Sequence, residues 1–83
     1  MSDELLERIS LDPEVMAGKP VVRGTRIPVQ LVLEMLAQGI PPEVILAEYR
    51  QLETADIRAV LEYAAHVIAN ETIFPVVSGK AAE

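Results

Sequence analysis

The 83-residue sequence predicts a mostly α, trihelical helix-turn-helix domain of the homeodomain-like or winged-helix-like kind, preceded by a small N-terminal β-hairpin. Three observations predict it. Apolar residues recur at helical spacing in the segments that follow Pro28. Tight links with clear stop signals separate those segments, so a short helix leads through a turn into a longer amphipathic one. Upstream lies a stretch punctuated by Gly18, Pro20 and Gly24 that carries the paired valines Val21 and Val22.

Taken in order, Leu5 to Leu11 is ambiguous between a short helix and a strand, and Asp12-Pro13 marks a turn. Gly18-Lys19-Pro20 reads as a second turn, and the β-branched Val21-Val22 favour a pleated surface. In Arg23-Gly24-Thr25-Arg26 the Gly-X centre fits a type II′ turn, whose first corner needs the positive φ that glycine supplies. The expected hairpin therefore covers about 20–27, with strands at Pro20 to Arg23 and Arg26 to Ile27.

Pro28 suits a helix start, where its missing N–H is not needed. The first helix is expected over about 29–38, with Val29, Val32, Leu33 and Leu36 on one face and Gln30, Glu34 and Gln38 on the other. Gly39 fits the left-handed position after a helix end, Ile40 the apolar contact of a Schellman motif, and Pro41 prevents continuation. A second helix starts with Pro42 in its first turn and runs over about 42–49. The third is expected over about 54–70, burying Ile57, Val60, Leu61, Ala64, Val67 and Ile68 and exposing Ala55, Asp56, Arg58, Ala59 and Glu62. The apolar Thr72 to Val77 reads as extended, completing a single domain over 1–77, and 78–83 as a disordered tail.

Apolar residues make up 51% of the chain, yet a domain this small buries only about 60% of the surface its unfolded form exposes. Self-association, as a homodimer, is expected to supply the rest. Having no cysteine, the chain can form neither disulfides, thiolate nucleophiles nor cysteine-zinc sites. No apolar run approaches the roughly 20 residues of a membrane span. Ser2-Asp3-Glu4 is acidic where a signal peptide would be basic, so a cytoplasmic protein with no membrane partner is expected.

Charge is unevenly spread over a chain of net charge −6. Gly18 to Pro28 holds Lys19, Arg23 and Arg26 and no acid, a local +3. Val29 to Phe74 holds seven acids against Arg50 and Arg58, a local −5. Lys19, Arg23, Thr25 and Arg26 are thus candidates for contact with phosphates or carboxylates, since closely spaced arginines present forked donors. Equally, the glycines and prolines build the hairpin while the cations solvate its edge, or one arginine ties the hairpin to Glu34 or Asp56. Arg58 is the cation of the third helix that would face a phosphate, but the acids beside it make a poor DNA-reading surface.

Catalytic signals are weak. His66 is the only histidine, with Glu62 at i−4 as its nearest acid, a spacing that more often gives a surface ion pair than a dyad. Gly18-Lys19 lacks the upstream glycine and the following Ser or Thr of a phosphate-binding loop. No enzyme activity, catalytic residue, cofactor or metal is expected.

The run Gly18-Lys19-Pro20-Val21-Val22-Arg23-Gly24-Thr25-Arg26-Ile27-Pro28-Val29 is followed in order by Leu36-Ala37-Gln38-Gly39, Glu43-Val44-Ile45-Leu46, Tyr49, Leu52 and Asp56-Ile57. Together these resemble domain-of-unknown-function family 433, commonly described as similar to VapB-type antitoxins, over about Ile9 to Ala65. The resemblance implies a small helix-turn-helix protein, often encoded beside a PIN-like nuclease and thought to act as its antitoxin. The chain departs from the family where Tyr49-Arg50 stands for the usual Tyr-Pro and Leu52-Glu53 for the usual Leu-Thr, so the cap of the third helix is expected to move to Thr54. The leading expectation is an antitoxin-like regulator that binds and neutralises a PIN-type ribonuclease. A dimeric regulator that binds operator DNA is the alternative, and a structural interaction module a further one.

Overall fold

The computed structural model describes residues 3–70. A four-residue helix α1 (Asp3–Leu6) leads into strand β1 (Ile9–Ser10), which pairs antiparallel with β2 (Val21–Val22), Ile9 opposite Val22 and Ser10 opposite Val21. Three further helices follow, α2 (Val29–Ala37), α3 (Pro42–Glu48) and α4 (Thr54–Ala69). The fold is mostly helical, with a small two-stranded antiparallel sheet near the N-terminus.

The sheet resolves the ambiguity of the first segment, which splits into a turn of helix and a strand. Its regular pairing differs from the expected hairpin over 20–27. Val21 does form an isolated bridge with Pro28, and Val22 N–H donates to Ile27 O at 3.0 Å, so the chain does double back there. Pro28 cannot donate to a ladder and α2 begins at Val29, so no second strand grows on that side. The ladder forms on the other edge of β2, where Arg23 N–H extends it to Arg8 O at 2.7 Å.

The turn type is also corrected. Thr25 N–H bonds to Val22 O at 3.0 Å, which places Gly24, with φ +83, at the third position of a Val22-Arg23-Gly24-Thr25 turn. That is the type II pattern, not type II′. The Thr25 hydroxyl shifts the register: it donates to Val22 O at 2.7 Å and accepts from Ile27 N–H at 3.0 Å.

Between the strands, Asp12 makes the expected turn by accepting Glu14 N–H on Oδ1 at 2.9 Å. Beyond it, Met16 (φ 52), Ala17 (φ 57) and Gly18 (φ 83) are successively left-handed. Bonds from Gly18 N–H to Val15 O (3.0 Å) and from Lys19 N–H to Met16 O (3.1 Å) hold this unusual run, of which only the glycine is intrinsically suited to it.

The end of α2 is a Schellman motif: Gly39 (φ 88) donates to Leu36 O at 3.0 Å and Ile40 to Met35 O at 3.1 Å. The core gathers Ile9, Val22, Ile27, Val29, Val32, Ile45, Leu52, Ile57, Ala59 and Val60 from every element except α1, whose Leu5 packs against it.

The buried face of α4 is rotated and shorter than the sequence predicts. Asp56, Ile57, Ala59 and Val60 are buried, whereas Leu61, Val67 and Ile68 are exposed, Ile68 at 69%. Asp56 and Ala59 were expected outside. They lie inside because α4 packs against α1 and β1 as well as α2 and α3, so its first two turns are enclosed on two flanks. The helix cap is likewise Glu53, not Thr54: the chain is extended at Glu53 (φ −112, ψ 164), and its N–H donates to Asp56 Oδ2 at 2.8 Å, the side-chain return of a capping box.

Candidate partner-binding surface

The cations singled out in the sequence do not form one patch. Arg23 is exposed, yet its guanidinium is committed to the fold: Nε donates to Glu7 O and Nη2 to Ile9 O at 3.2 Å. Together with its backbone N–H on Arg8 O, these bonds fasten the turn to the strand before it. Thr25 is occupied by the two hydroxyl bonds already described and is half-buried.

Arg26 differs. It is exposed and makes no hydrogen bond or ion pair among the described residues, and it borders a hollow of about 610 Å³ lined also by Tyr49 and Gln51. Because Arg23 and Thr25 are locked on either side of Gly24, the backbone that carries Arg26 is held while its side chain stays available. Lys19 is also exposed and unpaired among the described residues, but it stands on the rim of a different, apolar groove between α2 and α4. Arg58 is exposed on α4 beside Glu4 and Arg8. The five residues thus divide into two that build the turn and three cations that point to separate places.

One arginine was missed. Arg8 Nη1 lies 3.0 Å from Asp56 Oδ1 and 3.1 Å from Glu53 Oε1. The hydrogen bond to Asp56, and then that to Glu53, raise the Arg8 pKa above its ordinary value, so it is a cation throughout the physiological range. Here is the arginine that ties the N-terminal segment to Asp56, a role the sequence reading gave to the basic cluster. The partners lie 48 and 45 residues away, and no local pattern announces them.

Among the described residues no group of three His, Asp or Glu side chains is placed to hold a metal ion, and no helix is long and apolar enough to cross a membrane. His66 is exposed, and its backbone carbonyl accepts the Asn70 side-chain amide at 2.7 Å; its ring makes no bond to Glu62.

Residues 9–64, which contain the β2 turn, α2, α3 and α4 as far as Ala64, match the family described as "Protein of unknown function (DUF433)". The chain belongs to the DUF433 family. A crystal structure of a DUF433 member protein from Anabaena variabilis superposes with a TM-score of 0.70 at 28% identity, over 83% of this chain and 79% of that one. The uncharacterized protein y4eO of Sinorhizobium fredii is 38% identical over 58 residues, 70% of this DUF433 chain but only 26% of y4eO, so the chain spans about a quarter of that relative. An uncharacterized protein of Archaeoglobus fulgidus is 62% identical over 24 residues, 29% of this chain and 67% of that protein.

Proposed function

We propose that this DUF433 chain is a non-catalytic, antitoxin-like regulator that binds and neutralises a PIN-type ribonuclease in the cytoplasm. The observation that carries the reading is Arg26, an exposed arginine without an internal partner on a loop fixed by Arg23 and Thr25. A planar guanidinium pairs with carboxylates through two parallel bonds. Nucleases of the PIN type use clustered carboxylates to hold a divalent metal, and an arginine docked on that cluster competes with the metal for the same oxygens. The nuclease itself comes from the family resemblance; the acidic body and the scattered cations favour a protein over duplex DNA. Self-association belongs to the same reading, with Leu61, 48% exposed, among the surface to be covered.

Inhibition of a purified PIN-type nuclease by the purified chain tests the proposal. Arg26→Glu should weaken inhibition more than tenfold, about 1.4 kcal/mol or more, with no loss of fold. Full inhibition by Arg26→Glu sinks it. Arg58, exposed on α4, favours operator DNA as the second reading, whose mark is an affinity that falls steeply with salt and on Arg58→Ala.

A further inference from the structure

The hollow of about 610 Å³ beside Arg26 lies where the loop after β2 meets the link between α3 and α4. Its size is that of small-molecule sites, which run from about 300 to 1,000 Å³. Val15, Val21 and Ile27 give it an apolar lining, and Arg26 is the one charged residue around it among the described residues. The other arginines described in the site share their hollows with Glu4, Arg8 and Arg23 in one and Arg8 and Arg58 in another. An anion that approaches those meets a like charge, whereas beside Arg26 it meets no acid. We propose that this hollow binds a monocarboxylate carried on an apolar body: Arg26 takes the carboxylate, Tyr49 and Gln51 add neutral donors, and Val15 and Ile27 receive the body.

The donors are available. Neither the Tyr49 hydroxyl nor the Gln51 amide makes a hydrogen bond among the described residues. Tyr49 is half-buried with its ring packed against the core, yet no buried side-chain oxygen or nitrogen lacks a partner, so its hydroxyl is open to water. They are also held in place. Tyr49 N–H donates to Ile45 O at 2.8 Å and Tyr49 O accepts Leu52 N–H at 2.9 Å, while the Thr25 hydroxyl bonds fix the loop that carries Arg26. Donors positioned in advance bind without a further ordering cost. The charge of the ligand follows from the count of cations: one guanidinium matches one carboxylate through its paired donors, whereas a phosphate dianion would find no second cation here. A free small acid and the C-terminus of a polypeptide carry this same chemistry. The expected extended segment Thr72 to Val77 and the tail 78–83 lie outside the described residues, and the site draws on none of them. The site shares Arg26 with the proposed nuclease contact but needs no nuclease, so each reading can fail without the other.

The test is an NMR titration of the full-length, isotope-labelled protein with phenylacetate at constant ionic strength. Saturating shifts are expected at the Val15, Val21 and Ile27 methyls and at the Gln51 side-chain amide, with a dissociation constant on the order of 1 mM or tighter. Phenylacetamide, the same body without the charge, should bind roughly tenfold more weakly or worse, and so should phenylacetate to Arg26→Gln. Tyr49→Phe, which keeps the ring, should weaken binding several-fold, and both variants should melt as the parent does. Acetyl-glycyl-phenylalanine with a free C-terminal carboxylate distinguishes the sources: binding at least as tight as that of phenylacetate assigns the site to a polypeptide end, weaker binding to a free acid. Equal affinity for acid and amide overturns the proposal, as do shifts that persist unchanged in Arg26→Gln and a failure of both acids to saturate.

Discussion

Arg8 reaches across the fold to Asp56, placing Nη1 3.0 Å from Oδ1, while the other oxygen of that carboxylate caps α4 through Glu53 N–H at 2.8 Å. One buried acid therefore both starts the longest helix and anchors the N-terminal segment against it. Asp56→Ala should destabilise the protein by about 1–2 kcal/mol from the lost cap alone. Arg8→Met should cost at least as much, because it leaves the Asp56 carboxylate, whose side chain is only 8% exposed, without its cation, whereas Glu53 is largely in water. In a double-mutant cycle read by urea unfolding, the two changes should be non-additive; simple additivity would mean that the pair contributes nothing.

Arg23 should behave as a structural residue. Arg23→Lys removes the planar fork that spans Glu7 O and Ile9 O, and it should lower stability by about 1 kcal/mol. Arg26→Ala, which breaks no bond among the described residues, should stay within about 0.5 kcal/mol of the parent. Thermal melts of the two variants separate them, and an equal loss for both would contradict the geometry.

Much of this was legible in the sequence, and where it was not the cause is specific. The Schellman stop at Gly39 and the limits of α2 and α3 follow from local chemistry, in which glycine, proline and apolar spacing act within one or two turns. The face of α4 did not follow, because periodicity alone fits a stripe through Leu61 and Ile68 as well as one through Asp56 and Ala59. Packing of α1 and β1 against α4 decides between them, and that is non-local information. A buried aspartate looks exposed until its arginine is found 48 residues away. The basic cluster likewise looked uniform, since spacing does not reveal which guanidinium is spent on backbone carbonyls.

The left-handed run before β2 offers a gain of stability. A non-glycine residue in that conformation costs roughly 1–2 kcal/mol, against roughly 0.4–1 kcal/mol that glycine loses through a freer unfolded chain. Ala17→Gly (φ 57 in the parent) should therefore raise stability by about 0.5–1 kcal/mol. Gly24→Ala should cost about 1 kcal/mol or more on the same conformational ground, because a Cβ there meets no atom within 4 Å. Paired chemical denaturation curves check both signs.

Substitutions along α4 should show two regimes. Val60→Ala, at a fully buried position, should cost at least about 1 kcal/mol through lost burial and the cavity left behind. Leu61→Ser, one residue on and half-exposed, should change monomer stability by less than about 0.5 kcal/mol. Similar losses at the two positions would show that Leu61 is covered in solution.

The locked turn around Gly24 also bears on how the surface can change over time. Arg23 and Thr25 carry the conformational duty of the loop, so a new side chain at position 26 meets almost no folding constraint. Substitution can therefore change the side chain at that position in a single step, while changes at its two neighbours carry a cost in stability. The chemistry displayed at the tip of this loop can then vary one side chain at a time, with the scaffold held constant.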